Sequence, residues 1–180
     1  LNRSSYCATT SCSSSDCANR STLNELFEAA GRRLNPARLA DAGAVVAHGD
    51  AHNANVWYAP GQEEPELILF DPAFAGSNVP ALLAEIKPTF HNIFAHPLWL
   101  YEPAEATRKY RAEARYVNGV LEVETDWELS RIRHALLEVK AKHLWRPLMH
   151  ELKARGMLPA DWREVIRLAL FLCPTLVMNL

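Results

Sequence analysis

His48-Gly49-Asp50-Ala51-His52-Asn53-Ala54-Asn55 decides the reading of this chain, together with the apolar runs Val56-Trp57-Tyr58 and Leu67-Ile68-Leu69-Phe70 and the Asp71 that follows them. Each run has the length and composition of a strand. Between them lies Ala59-Pro-Gly-Gln-Glu-Glu-Pro-Glu66, a polar segment rich in turn residues. An antiparallel hairpin brings the residues before its first strand close to those after its second. Asp50 and Asn55 are therefore expected beside Asp71, although many positions separate them.

That juxtaposition has a chemical meaning. Asp50 follows the apolar run Gly43-Ala-Val-Val-Ala47, so it lies on a loop at a strand end. A carboxylate there can orient a substrate hydroxyl and take its proton. Asn55 offers a neutral oxygen ligand and Asp71 a charged one. Mg²⁺ needs only one or two protein groups when phosphate and water complete its shell. Phosphoryl transfer to a hydroxyl calls for this set: one base and two oxygen ligands for the metal. His48 and His52 are placed on the cofactor side of the site, His48 bracing the loop through backbone hydrogen bonds and His52 lining it. Their i, i+4 spacing resembles a zinc helix, but Gly49 and the preceding strand argue against helix here, and the glutamate of such a motif is missing.

Size and composition allow one domain with a hydrophobic core: 180 residues, 49% hydrophobic and 22% charged. Lys and Arg number 19 against 21 Asp and Glu, a net charge of −2. No basic excess exists to hold a nucleic acid. The longest apolar run, Leu168 to Met178, contains Pro174 and is too short to span a bilayer. A cytoplasmic protein is the expectation. Residues 1–20 are Ser-, Thr-, Asn- and Cys-rich and read as a disordered or non-native tail. Cys7, Cys12 and Cys17 recur every five residues, a spacing that matches neither zinc pairs nor a secreted disulfide framework. Cys173, in an apolar helix, reads as a core residue.

Outside the hairpin the pattern is helical. Leu23, Leu26, Phe27, Ala30 and Leu34 mark a first helix that Ser21 or Thr22 can cap. Asn35-Pro36 breaks it before a short second piece. Further helices are expected from Pro80 to about Phe94, kinked or split at Pro88, and from Pro103 to Val117, ended by Asn118-Gly119. Val120 to Val123 reads as a short extended piece. Trp127 to Leu144 and Trp145 to Lys153 follow, stopped by Gly156. Asp161 and Glu164 form a candidate capping box for Trp162 to Cys173. The fold class is α+β, predominantly helical, with a small β-hairpin carrying the site.

His-Gly-Asp-x-His-x-x-Asn followed by an apolar strand and Asp resembles the aminoglycoside phosphotransferase-like family of small-molecule kinases, over residues 21–180. The resemblance implies a protein-kinase-like C-terminal lobe that transfers the γ-phosphate of ATP to a small-molecule hydroxyl. In that family the counterpart of Asp50 is the catalytic base, and those of Asn55 and Asp71 hold Mg²⁺ with the nucleotide phosphates. Family members also carry an N-terminal β lobe with a Gly-rich turn and a phosphate-pairing lysine. Nothing before Ser21 has room for that lobe, and the first lysine is Lys87, so a truncated form is expected. Helices after the metal ligand help build the acceptor pocket in the family. Lys87, His91, Asn92, His96 and Trp99 are candidates there, although a mixture of exposed helix faces and core aromatics explains them more readily.

Two other readings compete. In one, His48, Asp50, His52 and Asp71 bind a transition metal in a hydrolase. In the other, the chain is a non-catalytic kinase-like fragment with an exposed apolar face.

Overall fold

The structure, a computed structural model, describes residues 8–9, 21–61, 64–96, 98, 102–118 and 120–175. The chain is α+β and predominantly helical, with small sheets, as the sequence leads one to expect. It divides into two compact units, one of residues Leu1–Arg32 and His96–Glu128, the other of Arg33–Ala95 and Leu129–Leu180.

The first unit contains strand β1 (Ala8–Thr9) and most of helix α1 (Leu23–Arg33). Thr22 caps α1 in a reciprocal box: its hydroxyl accepts from the Glu25 N–H, and the Glu25 carboxylate accepts from the Thr22 N–H. Elements α4 (Pro103–Lys109), β6 (Ala112–Val117) and β7 (Val120–Thr125), counted in chain order with those of the other unit, complete it. Strands β6 and β7 form an antiparallel hairpin, and β1 lies parallel to β7. This corrects the expectation of one helix from Pro103 to Val117. That helix ends at Tyr110, and Asn118 does not stop a helix but sits in the hairpin turn at φ +52°. Asn-Gly is a favoured pair for such turns because both central residues need positive φ. Apart from β1, the tail over residues 1–20, with Cys7, Cys12 and Cys17, lies outside the described residues, as does Trp99.

The second unit starts with α2 (Pro36–Ala42), capped by the Asn35 side chain, which accepts from the Ala37 and Arg38 N–H groups. Strand β2 (Ala44–Ala47) pairs antiparallel with β5 (Gly76–Pro80), a strand the sequence did not suggest. The hairpin is present: β3 (Val56–Ala59) pairs with β4 (Glu66–Leu69), with Val56 opposite Leu69. Helix α3 (Ala81–Thr89) passes into a π turn over Phe90–Phe94, closed by the Ala95 N–H on the Phe90 carbonyl. Pro88 lies inside α3, yet the expected break falls two residues later, where the hydrogen bonds widen.

Helix α5 (Arg131–Lys140) begins at its Ser130 cap rather than at Trp127. A second π turn, Ala141–Trp145, leads into α6 (Arg146–Ala154), and Gly156 at φ +67° ends that helix. Helix α7 spans Trp162–Thr175. The side chains of the expected capping box go elsewhere, Asp161 to Arg33 and Glu164 to Arg167.

The core of this unit is built from Ala81, Leu82, Leu152 and Val165, with Leu39, Val45, Leu148 and Trp162 packed against it. Polar contacts hold α3 to the α5–α6 run. Lys140 pairs with Glu85 at 3.0 Å, the Trp145 indole donates to the Thr89 hydroxyl at 3.1 Å, and Arg133 donates to the carbonyls of Ile93 and Ala95. The last contact satisfies acceptors that a helix end otherwise leaves open. These ties fix the face of α3 that meets the loop after β2.

Candidate active site

The loop from His48 to Asn55 is held by its own hydrogen bonds. Gly49 adopts φ +78°, and a Cβ there would lie 2.3 Å from the Phe74 carbonyl oxygen, so glycine is required by torsion and by space. The Asp50 carbonyl accepts from the His52 N–H at 2.9 Å and from the Asn55 side-chain amide at 3.0 Å. Asn55 then starts β3 from a 3₁₀ turn, Asn53–Asn55.

His48 braces the loop. Its Nδ1 accepts from the Asp50 N–H at 3.3 Å, and its Nε2 lies 2.8 Å from the Phe70 carbonyl. This pairing places the proton of a neutral ring on Nε2. The Phe70 N–H in turn donates to the Asn55 carbonyl at 3.1 Å. The residue before Asp71 is thus tied to both His48 and Asn55, and the hairpin delivers Asp71 to the loop that carries Asp50. Asp71 itself is exposed and left-handed, at φ +57°. A non-glycine residue held there stores strain, a recurrent property of functional positions.

The Asp50 side chain is only 9% exposed. Lys87, reaching from α3, pairs with Oδ2 at 2.7 Å. Oδ1 is buried without a hydrogen-bond partner. Nε2 of His52 lies 3.4 Å from Oδ1. His52 accepts from the Ala54 N–H through Nδ1, so the ring turns an Nε2–H toward that oxygen.

The π turn after α3 supplies two more groups. His91 stacks on His52 with centroids 5.0 Å apart, and Asn92 accepts from the Asn53 N–H at 2.8 Å. Burial lowers the His91 pKa, and the charges of His52 and Lys87 lower it further, against the pull of Asp50. Lys87, His91 and Asn92 therefore meet the loop, where exposed helix faces had been the favoured expectation. A signal was present: Lys87 and His91 are four positions apart, on one helix face. His96 belongs to the other unit, where it packs against Tyr110 and Trp127.

Asn55 and Asp71 offer a neutral amide oxygen and a carboxylate, a donor set that suits a hard cation such as Mg²⁺. Since the Asn55 amide nitrogen is bound to the Asp50 carbonyl, its oxygen is the atom left for a ligand. His48, by contrast, has both ring nitrogens committed to backbone. Among the described residues no group of three or more His, Cys, Asp and Glu could hold a metal ion. No helix among them is long and apolar enough to cross a membrane.

Neither a family model, nor a curated protein, nor a solved structure matches this chain.

Proposed function

We propose that residues 21–180 are a kinase-like C-terminal lobe whose loop after β2 transfers the γ-phosphate of ATP to the hydroxyl of a small molecule. The buried Asp50 carboxylate, with one oxygen paired and the other without a hydrogen-bond partner, carries this reading. A buried polar atom without a partner is costly, and one kept at the end of a strand fits a group reserved for a ligand. Asp50 would orient the acceptor hydroxyl and receive its proton. Asn55 and Asp71 would hold Mg²⁺, which when bound would neutralise developing charge on the phosphates. His48 keeps the loop and the end of β4 together, so that base and metal ligands remain in register.

The test is MgATP-dependent ADP release by the purified protein across a panel of hydroxyl compounds. Asp50→Asn preserves shape and removes the base, and turnover should fall at least a hundredfold. Turnover by Asp50→Asn at the wild-type rate would refute the reading. The hydrolase alternative gains nothing from His48, whose nitrogens are both used by backbone.

A second reading, a non-catalytic kinase-like lobe, is favoured by one observation. Trp57, Tyr58, Leu67, Ile68 and Leu69 on the β3–β4 hairpin, and Phe70 just after it, are each between 44% and 71% exposed. Neighbouring strand residues point to opposite sides, so the hairpin presents apolar side chains on both faces, which suits packing against a partner. A protein that binds no MgATP and shows no Asp50-dependent turnover would support that second reading.

A further inference from the structure

The two oxygens of the Asp50 carboxylate are not equivalent. Oδ2 is held by the Lys87 ammonium at 2.7 Å, and Lys87 also lies 5.6 Å from the centroid of the Phe74 ring. The lysine side chain is 39% exposed, whereas that of Asp50 is 9% exposed, so the cation reaches in from the edge and the anion sits deeper. Oδ1 has no hydrogen-bond partner and faces His52 Nε2 at 3.4 Å, beyond the geometry of a good hydrogen bond. The carboxylate thus has one oxygen held by a cation and one whose acceptor capacity is unused, and a hydroxyl is a donor that suits it.

Resting on the phosphotransfer reading, we propose that Lys87 is a positioning residue that fixes Oδ1 as the proton-accepting oxygen of Asp50. The acceptor hydroxyl then donates its hydrogen to Oδ1. In the reaction its proton passes to Oδ1 while its oxygen forms the bond to the γ-phosphorus. The bond from the γ-phosphorus to the bridging oxygen breaks, and its electron pair leaves on ADP. Lys87 touches none of the reacting atoms. Without it Oδ2 loses its partner, and the carboxylate can rotate and exchange its oxygens.

Lys87→Met and Lys87→Arg test this, alongside Asp50→Asn as the reference for loss of the base, all with MgATP and the same hydroxyl panel. Lys87→Met should lower kcat at least tenfold while the KM for ATP changes less than twofold. Lys87→Arg, which keeps a cationic donor, should recover most of kcat. Thermal unfolding of each variant separates loss of fold from loss of positioning, and Lys87→Arg carries the test where Lys87→Met fails to fold. Asp50-dependent turnover that is indifferent to Lys87→Met would overturn the role of Lys87 alone. So would an equal loss of kcat in Lys87→Arg and Lys87→Met. Absence of Asp50-dependent turnover in the wild type would remove the phosphotransfer reading and this role with it.

Discussion

His48 and Phe70 stand 22 positions apart in sequence and are joined by a 2.8 Å hydrogen bond from the imidazole Nε2 to the backbone carbonyl. Through its other nitrogen the same ring receives the Asp50 N–H, so one side chain links the loop to the end of the hairpin. His48→Ala should cost about 1–2 kcal/mol in stability, two modest hydrogen bonds being lost. It should also raise hydrogen exchange at the Asp50 amide more than at amides in α6. Equal exchange at both places would show that the ring is not a brace.

Gly49→Ala tests the torsion of the same loop. The new methyl meets the Phe74 carbonyl oxygen, and alanine is strained at φ +78°. The expected loss is about 1–3 kcal/mol from strain alone, with a further contribution from the displaced backbone. Denaturant unfolding measures it. An unchanged midpoint would mean that the loop relaxes freely.

His91 gives stability a pH dependence of known sign. Its folded pKa is lowered below 6.5, first by burial and then by His52 and Lys87, while Asp50 opposes the shift. As the pH falls below 6.5 the unfolded chain takes up a proton before the folded one does. Stability from this residue is therefore present at higher pH and is lost as the pH drops through the window between the unfolded and folded values. His91→Gln should flatten that part of the curve in unfolding experiments run across pH. A slope identical to the wild type would assign the dependence to other groups.

Cys173 should be slow to alkylate in the native protein. Burial pushes its thiol up to about 11, so very little thiolate exists near neutral pH, even with Lys87 acting in the opposite sense. Iodoacetamide at pH 8, followed by peptide mapping, should label Cys173 far faster in denaturant than in buffer. Rapid native labelling would contradict the burial.

The hairpin was legible because two apolar runs are separated by proline, glycine and glutamates, a purely local signal. The first helices were legible for a similar reason, since Thr22, Glu25 and Asn35 act within a few positions of themselves. Strand β5 was not, because Gly76-Ser77-Asn78 has little intrinsic strand preference and is held by pairing with distant β2. Strand β6 was misread as helix since Ala112-Glu113-Ala114-Arg115 suits a helix locally, and only its register against β7 decides otherwise. At the candidate site, Asp50, Asn55 and Asp71 stand out by residue type and order. The Lys87–Asp50 pair spans 37 positions and rests on how α3 packs, which no local pattern encodes.

The π turn at Phe90–Phe94 has a consequence for how this helix tolerates length changes. A widened turn holds one amino acid more than regular winding requires, so deleting a single residue there would let ordinary α-helical bonding resume while the residues after it keep their bearing. An excision in the regular winding of α3 finds no such slack around it, and the side chains after it would swing by about 100° around the axis. Asn92 would then leave the Asn53 amide, and His91 would slide off the imidazole beside it.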